Sequence, residues 1–468
     1  MAVFSSRGPN RAAPDVIKPD VTAPGVQILA GNSPTPFLGA PGQLFQAIQG
    51  TSMSSPHVAG IGALLAGAHP TWSPAMIRSS LTTTGTLDVF KEDGTTPADP
   101  FDFGGGYIAP LPANNPGLVY DAGFADYLRF LCGNGDLNPT GTTCTAFPAI
   151  DPSDLNLATI GIAQPAGTQT VIRTVTNVGS APATYQVSVA EPPGIDVAVT
   201  PEALTLAPGA SDSYEVTFTS EDGVTFDEWA FGSLTWSDGS HAVRSPIAIK
   251  PTAISAPEEI SGTGTSGTAT YEVTFGYNGP FETPVHGLFP AAVTHDTVVD
   301  DPDDDIGSAL ATDVGVNDYT ISVPAGTRQL RISLFDETVD GATDDLDLYL
   351  YPPGEDPFDN GEFSHLSGGA TSDEQIDVPA PEAGDWTLIV HGFETDGADA
   401  VFDLFTWLVG DADAGNLTVT APPSAIVGAT DEITVAWSGL APATRYLGIV
   451  GYSDGVNEFG GTIVSVVT

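Results

Sequence analysis

The sequence contains very few basic residues. Lys and Arg together number 12 among 468 residues, against 59 Asp and Glu, and the formal net charge is −47. A surface of this charge repels nucleic acid and anionic membranes, so we expect neither as a partner. The excess lies mainly after residue 112, because residues 1–112 contain seven acidic and five basic side chains. Two explanations remain open: solubility in a salty medium that screens the self-repulsion, or calcium binding by loop carboxylates.

Long apolar runs are also absent. No segment reaches the roughly 20 apolar residues that span a bilayer, so the sequence predicts no membrane span. Residues 1–20 lack the continuous apolar core of a signal peptide. Zinc-binding, phosphate-loop and dinucleotide-binding patterns are missing as well, and none of these cofactors is expected.

Cysteine is scarce. Cys132 and Cys144 are the only two cysteines, and eleven residues separate them. A bridge between them would close a loop rich in Gly, Pro and Thr and would stabilise the fold by about 3 kcal/mol. Such a bridge favours an oxidising compartment weakly. Two free thiols are the alternative, and the sequence leaves the choice open.

The first histidine of the chain, His57, belongs to its most informative motif, Gly50–Gly60 (GTSMSSPHVAG). Ser52 stands there at the start of a predicted helix whose apolar residues recur at helical spacing. Backbone N–H groups at a helix N-terminus can hold a developing oxyanion. The alternative interpretation of Ser52 is an ordinary N-cap serine on a buried helix.

The flanking segments favour a catalytic serine over a simple cap. They are Phe4–Asn10 and Lys18–Val26 upstream, and His69–Leu81 downstream. In the last of these, Ser73 is a good N-cap and Pro74 fits the first helical position. Together with the serine motif, these segments resemble the subtilisin-like serine proteases, the subtilases, in wording and in order. The resemblance implies that Ser52 is the nucleophile. The order Gly-x-Ser-x-Gly is absent, which argues against an α/β-hydrolase nucleophile elbow.

A serine nucleophile needs a base, and the base needs a third group that orients it. In subtilisin the chain order is Asp, His, Ser, yet none of residues 1–51 is histidine. The resemblance places the His, the Asp and an oxyanion-hole Asn upstream of residue 1, and it makes His57 a structural helix residue. We therefore expect the C-terminal part of a larger protease, inactive alone, and leave open whether Met1 is a true start. A downstream His–Asp pair is an alternative that no spacing supports.

Residues 99–157 extend the resemblance. The matching segments are Asp99–Tyr107, Asn115–Asp121, Asp126–Cys132 and Asp154–Leu157. Their order resembles the cucumisin-like subtilases, in which a fibronectin-III-like domain follows the protease. Residues 158–252 fit that domain, because their apolar residues alternate and Trp229 and Trp236 are candidates for the core between two sheets.

Two further β-rich segments follow. Residues 310–410 resemble the bacterial pre-peptidase C-terminal domain, a small β-sandwich, and residues 253–309 precede it without a clear assignment. Residues 411–468 alternate again and are interpreted as a short β-module that is cut short at Thr468. The core candidates of this module are Leu417, Val419, Ile433, Val435 and Trp437.

The predicted fold class is therefore multidomain: the C-terminal part of an α/β subtilisin-like domain, followed by two or three all-β sandwich domains. The predicted domains are 1–112 (C-terminal part of the catalytic domain), 113–157 (connecting segment), 158–252 (fibronectin-III-like), 253–410 (pre-peptidase C-terminal-like) and 411–468 (short β-module).

Two acidic clusters are candidates for calcium binding. Asp300–Asp305 (DDPDDD) is the densest and lacks the EF-hand order, and Asp344, Asp345 and Asp347 form a second cluster at a strand edge. We interpret both as solvated surface. Metal sites therefore stay unassigned, and structural calcium is an open alternative.

The sequence thus predicts a secreted serine-type endopeptidase that hydrolyses peptide bonds in proteins through an acyl-enzyme on Ser52. This chemistry needs no cofactor. The expected partners are a protein or peptide substrate and the missing N-terminal half of the protease. The alternative is a non-catalytic adhesive or polymer-binding protein made of β-modules, in which the protease segment is a relic.

Overall fold

A computed structural model describes residues 1–36, 39–341, 343–355 and 364–468. The chain forms two compact units. Unit 1 contains residues 1–255, 274–278 and 426–429, and unit 2 contains residues 256–273, 279–425 and 430–468. No helix of the described residues combines the length and the apolar character that a membrane crossing needs.

The first part of unit 1 is mixed α/β. Its elements are β1 (Ile28–Gly31), β2 (Phe45–Ile48), α1 (Thr51–Ala68), α2 (Pro74–Thr83), α3 (Pro100–Phe103) and α4 (Pro110–Ala113). The predicted start of α2 is confirmed, since Ser73 Oγ accepts a hydrogen bond from Met76 N at 3.0 Å and Pro74 occupies the first helical position. Strands β1 and β2 form an antiparallel pair.

A glycine run closes this α/β part. A Cβ on Gly105 would lie 2.1 Å from the carbonyl oxygen of Thr82, and one on Gly104 would lie 2.1 Å from that of Pro19. Just before the run, the buried Asp102 carboxylate lies 3.0 Å from Arg7 Nε and 3.2 Å from Lys91 Nζ. The close backbone approach and the ion pairs hold the segment against the first residues of the chain.

The connecting segment contributes a strand to the following sandwich. Its elements are β3 (Leu118–Tyr120), α5 (Phe124–Gly133) and α6 (Thr142–Ala146). Cys132 and Cys144 form a disulfide between the two helices, so the disulfide alternative is confirmed. The hydroxyl of Tyr120 lies 2.6 Å from that of Tyr214 and 2.9 Å from that of Ser245 inside the sandwich core.

The next strands of unit 1 build a two-sheet sandwich. They are β4 (Ile160–Ile162), β5 (Thr168–Asn177), β6 (Ala183–Ala190), β7 (Ile195–Thr200), β8 (Ala203–Leu206), β9 (Ser211–Ser220), β10 (Ala230–Ser237) and β11 (Ala242–Ile249). The short strand that follows, β12 (Ile254–Ser255), pairs instead with Thr274 and Phe275. The sheet orders are β3-β5-β9-β7 and β4-β11-β10-β6-β8. Trp236 is fully buried between the sheets, as predicted. The prediction for Trp229 was wrong: it precedes β10 and packs edge-on against Phe101, outside that core, with ring centroids 4.9 Å apart.

Unit 2 consists almost entirely of strands. They are β13 (Glu259–Thr263), β14 (Gly267–Phe275), β15 (Gly279–Pro280), β16 (Val285–Pro290), β17 (Ala292–Val299), β18 (Val316–Val323), β19 (Gln329–Ser333), β20 (Asp345–Tyr351), β21 (His365–Ser367), β22 (Gln375–Pro379), β23 (Gly384–Glu394), β24 (Asp399–Val409), β25 (Leu417–Thr420), β26 (Ser424–Ala425), β27 (Thr430–Trp437), β28 (Arg445–Ser453) and β29 (Glu458–Val467). One helix, α7 (Ile306–Thr312), lies between β17 and β18.

One sandwich of unit 2 is inserted into another. Sheets β17-β24-β19-β22 and β18-β23-β20-β21 enclose an apolar core within residues 292–409. The strands before and after this insertion pair with each other in the sheets β13-β29-β28-β16 and β14-β27-β25. The sequence predicts a domain boundary at residue 410. The strand pairing crosses this boundary, because it joins strands of residues 253–309 to strands of residues 411–468. Local alternation cannot reveal that β13 pairs in parallel with β29, about 200 residues later.

Arginines link the inserted sandwich to its host. The side chain of Arg331, 5% exposed, has Nη2 at 2.6 Å from Glu259 and Nε at 2.7 Å from Asp377. Arg445 pairs with Glu337, and its guanidinium lies 3.7 Å from the Phe335 ring centroid. These cations offset part of the large acidic excess at the junction.

Candidate active site around Ser52

Ser52 lies in the first turn of α1, on the surface of unit 1. The residue before the helix, Gly50, has a φ of 155°, which other residues rarely adopt. Its N–H donates to the carbonyl of Gly25 at 2.9 Å. A Cβ on Gly25 would lie 2.9 Å from the oxygen of Gly50, so the close approach of the two segments depends on the glycine at position 25.

The helix N-terminus presents free amide groups beside the Ser52 hydroxyl. The N–H groups of Met53 and Ser54 both donate to the Gly50 carbonyl, at 3.0 and 3.3 Å. The N–H groups of Thr51 and Ser52 have no acceptor among the described residues. Unsatisfied N–H groups and the positive end of the helix dipole stabilise a nearby anion. The arrangement can therefore hold an oxyanion next to a hydroxyl nucleophile.

Residues 22–26, which precede the serine motif in the sequence, pack directly against the first turn of α1. Ser54 Oγ donates to the carbonyl of Ala23 at 2.9 Å, which joins the first turn of α1 to residues 22–26. Residues of this segment and of the first turn line a cleft of about 590 Å³. The cleft places backbone groups of Ala23, Pro24 and Gly25 close to the start of the helix.

The histidines of the chain have their hydrogen bonds elsewhere. His57 Nδ1 lies 2.8 Å from the carbonyl oxygen of Met53, four residues earlier in α1, which confirms its structural part in the helix. Three hydrogen-bonded His–Asp pairs occur among the described residues: His241–Asp238, His295–Asp403 and His391–Asp301. Within the described residues, no histidine is hydrogen-bonded to Ser52. The site as it stands therefore has a hydroxyl and anion-stabilising amides, without a hydrogen-bonded base.

Helix α1 is apolar and yet largely uncovered. Of its 18 residues only Leu65 is buried, and Leu64 is 74% exposed. The neighbouring β1–β2 pair also exposes Leu29 and Phe45, by 71% and 65%. A helix with apolar residues on every side is normally buried in a protein core. This part of unit 1 therefore exposes an apolar surface.

The acidic cluster Asp300–Asp305 is only partly solvated, so its interpretation as solvated surface was wrong for Asp301. This side chain is 2% exposed, and its carboxylate accepts hydrogen bonds from the backbone N–H groups of Asp303 and Asp305. Asp303 and Asp304 are exposed, as predicted. The loop folds over the Asp301 carboxylate because that carboxylate satisfies backbone N–H groups ahead of α7, whereas Asp300 accepts from Thr395.

The second acidic cluster is buried, and its interpretation as solvated was also wrong. Asp344, Asp345 and Asp347 are each less than 9% exposed. Burial, then the charges of Asp347 and Glu374, raise the pKa of Asp345 to about 6. One carboxylate oxygen each of Asp344 and Asp345 is buried and has no hydrogen-bond partner among the described residues. No three carboxylate, imidazole or thiolate groups of the described residues converge in a metal-binding arrangement.

Comparison with known proteins assigns three segments. Residues 1–106 match the profile of the subtilase family, residues 154–249 a fibronectin type-III domain, and residues 315–392 the bacterial pre-peptidase C-terminal domain. The N-terminal segment is therefore similar to the subtilase family. The chain is 42% identical over 264 residues to the subtilisin-like protease SBT3.6 and over 269 residues to SBT5.3, both of Arabidopsis thaliana. It is also 42% identical over 280 residues to the subtilisin-like protease Glyma18g48580 of Glycine max.

The aligned part of the chain corresponds to only part of these relatives. Each alignment covers 53% of this chain and 33–35% of the relative, so the chain spans about a third of their length. The predicted family and the fold class of a partial α/β domain followed by β-sandwiches are thereby confirmed. The fibronectin profile coincides with the sandwich of unit 1, and the pre-peptidase profile lies within the inserted sandwich of unit 2.

Outside the subtilase segment, sequence reasoning missed the charged groups that are buried. Arg173 is fully enclosed and donates to four backbone carbonyls, those of Ser153, Leu157, Thr159 and Ile172. Arg331 and His391 are enclosed by carboxylates. The available signal was the rarity of cations: in so acidic a chain, a basic residue between apolar strand residues is expected to have a specific partner.

Proposed function

We propose that Ser52 is the nucleophile of a secreted serine-type endopeptidase, and that the base and its orienting acid come from polypeptide outside these 468 residues. The observation that carries the proposal is the exposed Ser52 hydroxyl beside the unbonded amides of Thr51 and Ser52, within a subtilase segment. The substrate would be a protein or peptide. Secretion is supported by the disulfide, which is typical of oxidising compartments.

In the proposed reaction, Ser52 Oγ attacks the carbonyl carbon of the scissile peptide bond while the external base takes its proton. The negative charge that develops on the carbonyl oxygen is stabilised by the Ser52 N–H. The C–N bond then breaks, the base returns the proton to the leaving amine, and an ester on Ser52 remains. Water hydrolyses the ester by the same steps, which releases the acid product and restores the hydroxyl. Cofactor chemistry is not required.

The uncovered apolar surface supports the proposal that the base and its orienting acid come from polypeptide outside these 468 residues. Helix α1 and the β1–β2 pair expose side chains that a water-soluble protein normally covers. The missing N-terminal half of a subtilase would bury this surface and bring the His and Asp to Ser52. The chain alone would then be inactive, because the members of a catalytic triad act as a unit.

The test compares casein hydrolysis by the purified chain with hydrolysis by the chain joined to the N-terminal portion of a related subtilase. We expect no hydrolysis by the chain alone, and hydrolysis by the joined protein that Ser52→Ala abolishes. Ser55→Ala, an exposed serine on the same helix, is the matched control and should retain activity. Hydrolysis by the isolated chain that Ser52→Ala removes would contradict the external base. Binding to a polymer or surface that survives Ser52→Ala, without hydrolysis by either protein, would favour the non-catalytic alternative.

Structural calcium is a separate proposal, supported by the unpartnered carboxylate oxygens of Asp344 and Asp345. At pH 7, a chelator would then lower the melting temperature of the chain, and added calcium would restore it. The same melting temperature in both conditions would refute this proposal.

A further inference from the structure

Unit 1 contains a second cleft, away from Ser52, which is unusual for this chain because none of its lining residues is acidic. Its volume is about 780 Å³, and it lies between the end of α2, the region of α4 and the β10–β11 hairpin. Its polar lining includes Asn115, Thr235, Ser240, His241 and Arg244. The remaining lining is apolar or backbone, apart from the threonines that end α2.

Arg244 is the decisive residue of this cleft. Its Nη1 is buried from solvent and has no hydrogen-bond partner, and no ion pair to Arg244 occurs among the described residues. Burial lowers the pKa of Arg244, and no charged neighbour offsets that effect. A desolvated charge without a counter-ion is unfavourable by itself. In a chain with 59 carboxylates, the absence of a partner is notable.

The same unit shows how a structural arginine is satisfied. Arg173 is fully buried and has no ion pair among the described residues, but its guanidinium donates to four backbone carbonyls, whereas Arg244 is only partly buried. Arg244 has no such acceptors, although it lies near the carboxyl end of α2. The hydroxyls of Thr83 and Thr84 already donate to carbonyls within that helix, those of Ser79 and Ser80. No group of the described residues accepts a hydrogen bond from the Arg244 guanidinium.

The nearest carboxylate on the hairpin is committed elsewhere. Asp238 accepts hydrogen bonds from the N–H groups of Ser240 and His241, at 2.8 and 2.7 Å, and its second oxygen lies 2.8 Å from His241 Nδ1. His241 Nε2 in turn lies 2.9 Å from Asn115 Nδ2. The imidazole is therefore held from both sides at the edge of the cleft, and Asp238 is occupied by its own turn.

We propose that this cleft binds a small oxyanion, the carboxylate, sulfate or phosphate group of a ligand, with Arg244 as its counter-ion. A guanidinium presents a planar pair of donors that matches two oxygens of such a group. The hydroxyls of Thr235 and Ser240 are further donors in the same cleft. The ligand is small because a surface with a net charge of −47 repels a polyanion.

The proposal is tested on the full chain by calorimetric titration with sodium acetate, sulfate and phosphate, at constant ionic strength set with sodium chloride. We expect saturable binding of at least one anion, and the three arms identify which oxyanion is preferred. Arg244→Gln should weaken that binding by about tenfold or more. Arg11→Gln, an exposed arginine that lines a different cleft of unit 1, is the control and should leave it unchanged. Absence of saturable binding, or equal binding by Arg244→Gln, would overturn the proposal.

A second measurement separates a ligand site from a structural contact. In chloride alone, Arg244→Met should melt at a temperature no lower than that of the unsubstituted chain, because it removes a partly desolvated charge that has no counter-ion among the described residues. A lower melting temperature would show that the guanidinium stabilises the end of α2 without any ligand, and the proposal would fail.

Discussion

The Nε2 atom of His391 lies 3.0 Å from Oδ2 of Asp301, and both side chains are almost completely buried. On its other side, His391 Nδ1 lies 3.7 Å from Asp347, too far for a hydrogen bond but close enough for electrostatic attraction. The imidazole thus joins the loop before α7 to strand β20. Burial by itself lowers the pKa of His391, but the two carboxylates outweigh this effect and the pKa is raised overall.

The first prediction concerns the pH dependence of this group. Because the folded pKa of His391 is raised, the stabilisation is fully present below the unfolded value of about 6.5 and is lost as pH rises through the folded pKa. His391→Gln should therefore lower the free energy of unfolding near pH 5.5. It should also reduce the fall of this free energy as the pH rises from about 6 to 9. Urea denaturation of the chain at a series of pH values measures both effects.

The control for this variant is His295→Gln. His295 also pairs with a carboxylate, Asp403 at 2.8 Å, but its side chain is 74% exposed. An exposed pair contributes about 0–1 kcal/mol, so this variant should change little. Equal pH profiles for the two variants would contradict a specific contribution of the buried pair.

The second prediction concerns Asp345, whose pKa is raised to about 6 by burial and by the charges of neighbouring carboxylates. A raised carboxyl pKa means that ionisation destabilises the fold, and the penalty grows as pH rises from about 4 to 6. Asp345→Asn should stabilise the metal-free chain at pH 7 by about 1–3 kcal/mol and have little effect near pH 4. Asp431→Asn, on exposed strand surface, is the control. A loss of stability at pH 7 in chelator would disprove this account.

The third prediction concerns Arg331, which is buried between Glu259 of the host sandwich and Asp377 of the insertion. Arg331→Ala leaves two partly buried carboxylates facing each other and should cost about 3–5 kcal/mol in denaturant unfolding of the chain. Arg129→Ala removes an exposed pair with Asp126 and should cost less than about 1 kcal/mol. Similar losses for both variants would mean that the junction does not depend on this arginine.

The fourth prediction concerns the closing glycine run. Gly105→Ala places a methyl group 2.1 Å from the Thr82 carbonyl oxygen, in backbone that cannot easily move. We expect a loss of about 1–3 kcal/mol or more, measured as a lower denaturation midpoint. Gly60→Ala is the matched control, because a Cβ at Gly60 in α1 meets no atom within 4 Å and should be neutral or slightly stabilising. An unchanged midpoint for Gly105→Ala would show that the approach is not required.

Short sequence patterns predicted the local features well. The start of α2 at Ser73 and Pro74, the helix that carries Ser52 and the burial of Trp236 all depend on residues within a few positions of one another. Capping and alternating apolar residues act over one or two turns or one strand, so they can be recognised without tertiary contacts. The resemblance to subtilases depends on similarly short segments, and residues 1–106 confirm it.

The sequence by itself therefore determined the local elements, the similarity to subtilases and the strongly acidic net charge. The tertiary structure decided which distant groups meet: β13 with β29, Arg331 with Glu259, and Asp301 with His391. It also decided that Arg244 meets no counter-ion among the described residues. Strand pairing and burial depend on contacts between residues far apart in the chain, and alternation within one strand is the same whichever partner lies beside it. Whether a carboxylate is solvated or buried is decided by the strands and loops that pack over it, as Asp301 and Asp345 show.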